Sequence, residues 1–189
     1  ARNGIRRFQF AEPANDPVAL RRVARMAKEE GVEEVVVGLT YSISPVHTHA
    51  YYAERVAALA DCADIDRFYL KDPGGLLKPS RAQTLIPAIK AVMGGKPLEL
   101  HSHCTIGLAE HTYMDAPDLG VSALQCASGA AADGTSNPHS ARVVANLRAL
   151  GHRVAVDDEA LGRVNRYFTR LAEAEGLPVG TPQAFDARY

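Results

Sequence analysis

Apolar residues along this chain follow two alternating periods. Short runs rich in β-branched and aromatic residues at 5–10, 34–39, 68–71, 98–101 and 121–126 predict strands. Between them, apolar positions recur every three or four residues, as amphipathic helices require. The first of these stretches opens with Asp16 as N-cap and Pro17 at N1. It places Leu20, Val23, Ala24, Ala27 and Val32 near one face and ends at Gly31. Further crossover helices are predicted over 48–63, 79–93 and 109–119, with Gly74-Gly75, Gly94-Gly95 and Gly120 in the connections. Strand and helix in alternation imply a parallel α/β sheet.

After the fifth strand the pattern changes. A Gly/Ala/Ser loop occupies 128–136, helices are predicted over 139–150 and 157–175, and the Pro/Gly-rich segment from Gly176 onward is expected to be irregular. Five strand-helix units are too few to close an eight-stranded barrel, which typically takes about 250 residues. The sheet is therefore open, or further strands lie elsewhere.

Composition narrows the class of function. The 189 residues are 47% hydrophobic and 23% charged, which is globular composition with enough apolar mass for a sizeable core. A formal net charge of −1 provides no basic field to draw in nucleic acid or an anionic membrane surface. No apolar run approaches the ~20 residues of a membrane span. Cys62, Cys104 and Cys126 are an odd set with no CxxC, so a zinc ribbon or dithiol centre is not expected and a reducing, cytoplasmic setting is. The start at Ala1, with no initiator Met, suggests a native beginning upstream.

In a parallel sheet the ligand site forms at the carboxyl ends of the strands. That rule selects Gln9 and Glu12, the segment 41–47 with Tyr41, then Lys71 and Asp72, His101 and His103, and the 128–135 loop with Thr135. His101-Ser102-His103 is the sharpest signal, because residues two apart on a strand share a face and can offer two imidazoles to one metal. The competing reading is one satisfied core histidine beside one solvated one. Lys71 ends an apolar strand, where a protonated ammonium is costly unless it is paired or converted. As a neutral amine it can take up carbon dioxide, and the resulting carbamate is an anionic oxygen ligand; the alternative is a salt bridge to Asp72 or Glu99. His47 and His49 read as loop residues, and Cys104 should point away from His103.

Three stretches, Leu-Thr-Tyr-Ser-Ile-Ser-Pro-Val-His-Thr (39–48), Lys-Asp-Pro-Gly-Gly-Leu-Leu-Lys-Pro (71–79) and Leu-His-Ser-His-Cys-Thr-Ile-Gly-Leu (100–108), resemble the biotin-dependent carboxyltransferase family. That family includes the oxaloacetate decarboxylase alpha subunit, the transcarboxylase catalytic subunit and the central domain of pyruvate carboxylase. The resemblance spans residues from about 4 to 170. It implies a (β/α)8 TIM barrel of which residues 1–175 supply about the last five β/α units, with 176–189 as a tail. It further implies a carbamylated Lys71 and ligands His101 and His103 on zinc, manganese or cobalt. Thr135, in Gly-Thr-Ser-Asn-Pro, would shuttle a proton between biotin and the substrate enol. Gln9, Glu12 and Tyr41 would line the substrate site.

The implied reaction is carboxyl transfer between carboxybiotin and a 2-oxo acid such as pyruvate or oxaloacetate, through a metal-stabilised enolate. No Ala/Val-Met-Lys-Met signature occurs, so biotin is expected on a carrier domain or subunit, and a homo-oligomer is expected. Two departures stand out. Gln9 occupies the position where the family has a carboxylate-binding arginine. The family's aspartate ligand belongs to a first barrel strand with no counterpart here, and Ala1 to Gly4 reads as the end of a preceding crossover helix. The alternatives are a Claisen-type lyase or synthase related to hydroxymethylglutaryl-CoA lyase and isopropylmalate synthase, which lacks a ligand lysine at the position of Lys71, or a catalytically inert barrel fragment.

Overall fold

The computed structural model describes residues 3–185. Strands β1 (Arg7–Glu12), β2 (Glu34–Thr40), β3 (Arg67–Asp72), β4 (Leu98–Ser102) and β5 (Ala123–Leu124) form one parallel sheet in chain order. Helices α1 (Pro17–Glu29), α2 (His49–Ala60), α3 (Pro79–Lys90) and α4 (Ala109–Asp115) make the crossovers that parallel neighbours require. After β5 a short 3-10 turn at Gly129–Ala131 leads to α5 (Ser140–Ala149) and α6 (Asp158–Glu175). Among the described residues no helix is long and apolar enough to cross a membrane.

The element boundaries differ from the sequence pattern where pairing decides them. β1 starts at Arg7 rather than residue 5 and runs on to Glu12, because β2 pairs with it from Glu34 to Leu39. β5 shrinks to two residues, since only Glu99 and Leu100 of β4 have partners in it. α4 stops at Asp115, where Pro117 brings no N–H to continue the ladder. The 128–136 loop contains the 3-10 turn. Asn3 and Gly4 form a turn, while Ala1 and Arg2 lie outside the described residues, as does 186–189 of the expected tail.

Side chains alternate across the sheet, and its two faces have opposite chemistry. One face carries Leu39, Phe68, Leu70, Leu98 and Leu100, packed with Leu20, Ala24, Tyr52, Val56, Leu85 and Ile89 of the crossover helices into a single apolar cluster. In α1, Asp16 caps the N-terminus by accepting from the Val18 and Ala19 N–H groups, and Leu20, Ala24 and Ala27 are the buried stripe. The other face carries Arg7, Gln9, Arg67, Tyr69, Lys71, Glu99 and His101, which the registers bring together. Gly38 allows this arrangement, because a Cβ there would lie 2.4 Å from the Tyr69 ring.

Loops at the carboxyl edge are held by buried polar side chains. Fully buried Asn15 grips Thr40 from both sides, its Nδ2 donating to the Thr40 carbonyl and its Oδ1 accepting from the Thr40 N–H. Asp72, also fully buried, accepts from the Leu76 N–H at 2.9 Å, the Leu77 N–H at 2.8 Å and the Ser102 hydroxyl at 2.7 Å. Burial pushes its pKa above the ordinary carboxylate range, and those hydrogen bonds oppose the shift. The segment 176–185 has neither helix nor strand, but it lies against the 128–136 loop: Gly180 N–H donates to the Ala130 carbonyl and Gly134 N–H to that of Thr181.

Asp72→Ala would strand two backbone donors and a hydroxyl under the β3–α3 loop. At ~1–3 kcal/mol for each buried group left unpaired, a loss of about 3 kcal/mol or more is expected in chemical denaturation. Ser102→Ala removes one partner and should cost about 1 kcal/mol.

Candidate metal centre at the carboxyl edge

His101 and His103 come from the end of β4, with Ser102 between them turned into the loop network. Their rings converge: the two Nε2 atoms lie 2.9 Å apart and the ring centroids 4.9 Å apart. His103 Nδ1 is 2.6 Å from the backbone carbonyl oxygen of Thr135, an atom that only accepts, so in the neutral ring this nitrogen carries the hydrogen and Nε2 presents its lone pair. His101 Nδ1 is 2.8 Å from Gln125 Oε1. Burial lowers the pKa of His101, the hydrogen bond to Gln125 opposes the shift, and His103 and Lys71 add to it. The neutral imidazole is thereby favoured, and that is the form that binds metals.

Lys71 sits in register with His101 on the adjacent strand. It is half-buried, and among the described residues it forms no ion pair or hydrogen bond through its ammonium. The two carboxylates that might have paired with it are engaged elsewhere. Asp72 holds the β3–α3 loop, and Glu99 is bridged by Arg7 and Arg67. Among the described residues no group of three or more His, Cys, Asp or Glu side chains is placed to hold a metal. The donor set on this edge is two imidazoles and a lysine, and it becomes three ligands of the kind divalent zinc or manganese takes only if the lysine is a carbamate.

The Pro73-Gly74-Gly75 turn supports His103 from below. Gly75 has φ of +65°, and a Cβ on it would stand 2.3 Å from the His103 carbonyl oxygen. His103 N–H donates to the Asp72 carbonyl at 3.1 Å, so β3 and β4 remain coupled one residue beyond the sheet. Cys104 is buried and its thiol is pushed up to about 12, chiefly by burial, so it stays protonated as a packing residue.

Known proteins share this arrangement of strands. No protein-family model matches the sequence. The chain is 33% identical over 171 residues to a pyruvate carboxylase subunit of Methanocaldococcus jannaschii, covering 90% of this chain and 30% of that protein. It is 31% identical over 172 residues to the methylmalonyl-CoA carboxyltransferase 5S subunit of Propionibacterium freudenreichii subsp. shermanii, covering 90% of this chain and 34% of that one. The carboxyl transferase domain of Rhizobium etli pyruvate carboxylase, solved with pyruvate and biocytin, superimposes with a TM-score of 0.86 at 23% identity, over 98% of this chain and 32% of that one. The chain belongs to the biotin-dependent carboxyltransferase family. It spans about a third of the length of these relatives.

Within that family fold, the residues selected from the sequence divide into two groups. Lys71, His101, His103, Thr135 and Gln9 gather on one side of the sheet: Thr135 through its carbonyl on His103, Gln9 through paired carboxamide hydrogen bonds of 2.9 Å each with Gln125. Glu12 and Tyr41 are not brought to this group. The Glu12 carboxylate accepts from the Ala14 and Asp16 N–H groups and shapes the β1–α1 loop. Tyr41 is buried in the helix-side core, its ring 6.0 Å from that of Tyr52. It also lines a cavity of about 450 Å³ with His47, His49 and Arg81. Gln125, Tyr69 and Glu99 were not selected, because their part in the site depends on strand register.

Gly75→Ala is expected to cost at least about 1–2 kcal/mol from the left-handed backbone alone. The clash with His103 should also move that residue, so its ring resonances in NMR should shift more than those of His111 or His139.

Proposed function

We propose that this chain carries the metal-holding part of a carboxyltransferase that moves a carboxyl group between carboxybiotin and a 2-oxo acid such as pyruvate or oxaloacetate. On this reading, residues 1–175 form the last five β/α units of a (β/α)8 barrel and 176–189 a tail. The observation that carries it is the in-register pairing of Lys71 with His101, which sets a lysine without a partner among the described residues beside two converging imidazoles. Relatives named as a pyruvate carboxylase subunit and as the 2-oxoglutarate carboxylase large subunit support a 2-oxo acid as substrate.

Lys71 Nζ, as the free amine, adds to carbon dioxide and loses a proton, leaving an N-carboxylate in reach of the imidazoles. Lys71, His101 and His103 are then three ligands for zinc, manganese or cobalt. Such a cation supplies a Lewis acid that draws charge from the 2-oxo carbonyl and lowers the barrier to the enolate. His101 and His103, held by their Nδ1 contacts, orient the donor lone pairs.

Thr135 acts on the proton. As the N–carboxyl bond of carboxybiotin breaks, the ureido nitrogen gains a proton that leaves the carbon next to the substrate carbonyl, passing through the Thr135 hydroxyl. The electron pair left on that carbon forms the new bond to carbon dioxide. Oxaloacetate decarboxylation is the same sequence in reverse. Biotin arrives on a carrier domain or subunit. Gln9 faces this side of the sheet and contacts the substrate. Glu12 and Tyr41, which the fold uses in the β1–α1 loop and the core, bear on substrate binding by shaping the rim.

Elemental mass spectrometry on protein purified in bicarbonate tests the metal. About one divalent ion per chain is expected in the parent protein, and its loss in both Lys71→Ala and His101→Ala. No metal in the parent would leave a structural piece as the better description. Thr135→Ala should keep the metal and slow carboxyl transfer by roughly 10²–10⁴-fold, the usual range for removing a proton-transfer group.

A further inference from the structure

Beneath the histidine pair lies a chain of polar contacts that runs across the inner face of the sheet and ends on His101. At its base Glu99, 1% exposed, is bridged by Arg7 and Arg67. Glu99 Oε2 lies 3.0 Å from Gln125 Nε2, and Gln125 Oε1 lies 2.8 Å from His101 Nδ1. Arg7 donates to Glu99 Oε1, which leaves Oε2 as the acceptor that faces Gln125. Gln125 must therefore turn its NH2 group toward Glu99, and its carbonyl oxygen then faces His101. The paired bonds to Gln9 agree with that orientation, since each carboxamide donates to the other's oxygen. With an acceptor at Nδ1, His101 carries its hydrogen there and its Nε2 lone pair points at the lone pair of His103 Nε2, 2.9 Å away.

That outcome needs an enforcing group. Left to itself, the pair would place a hydrogen on His101 Nε2 and donate it to His103 Nε2, which would satisfy both rings and remove one ligand atom. We propose that Gln125, oriented by Glu99, is a positioning residue that locks His101 in the Nδ1–H tautomer, so that both Nε2 lone pairs stay directed at a shared cation. The metal role of the pair rests on the function proposed above; the tautomer does not. Removing an outer contact of this kind typically weakens metal binding by about 10–100-fold.

The test uses protein labelled with ¹⁵N-histidine and free of metal, at alkaline pH, where long-range ¹H–¹⁵N correlations distinguish the two tautomers. In the parent, His101 should be the Nδ1–H form. In Gln125→Met, which keeps length but has no acceptor oxygen, it should become the Nε2–H form, and affinity for zinc ion should fall by about 10–100-fold. The exchanged variant Gln125→Glu with Glu99→Gln reverses the bond between the two positions, the carboxamide at 99 now donating to the carboxylate at 125, but keeps an acceptor at His101 Nδ1 and should restore both readouts. An Nε2–H tautomer in the parent, an unchanged tautomer in Gln125→Met, or an exchanged pair that stays Nε2–H would each overturn the proposal. A parent that shows the Nδ1–H tautomer but takes up no zinc would uphold the relay and refute the metal reading.

Discussion

The carboxylate of Asp72 is the interaction on which the carboxyl edge of this sheet depends. It leaves β3 pointing into the helix side, is fully buried, and ties together the β3–α3 loop and the end of β4 through Leu76, Leu77 and Ser102. Its own carbonyl takes the His103 N–H. The residues on either side of these contacts, Lys71 on one strand and His101 and His103 on the other, inherit their spacing from it. A buried carboxylate is costly unless its lone pairs are met, so the bonds that hold the loop are also what make Asp72 tolerable there.

Alternation along the strands separates two kinds of physics. The helix-facing side chains are aliphatic and aromatic and give the sheet its stability through burial. The opposite side carries charges and carboxamides in rows, with Arg7, Glu34, Arg67 and Glu99 at one level, Gln9, Tyr69 and Gln125 above them, and Lys71 with His101 above those. Burial is tolerable for these groups where they find partners, as in the ion pairs around Glu99; among the described residues Lys71 and the Nη1 of Arg67 have none. The same matching lets a charge at the base influence a ring nitrogen at the top without any direct contact between them.

Much of this was legible in the chain before folding. Period-two and period-three patterns mark the strands and helices, Asp16 and Pro17 mark the start of α1, and the His-x-His spacing selects a shared face whatever the register. Lys71 is placed at the end of an apolar strand by the sequence alone, and the structure leaves it half-buried there. These are local properties, determined by residues within one turn or one strand of each other, and the structure keeps them.

What the sequence could not determine is everything set by pairing between strands. Gln125 stands next to His101, and Glu99 below it, only because β4 and β5 pair with Glu99 opposite Ala123, and a slip of one residue would turn Gln125 to the other face. Position after a strand did not give the contacts of Glu12 and Tyr41 either: the Glu12 carboxylate accepts from the Ala14 and Asp16 N–H groups, and the Tyr41 ring lies 6.0 Å from that of Tyr52. Residue type, periodicity and motif spacing are therefore written in the chain itself. Which polar side chains meet, and in which hydrogen-bond direction, was decided by the tertiary structure, because that depends on register and on the partners that burial leaves within reach.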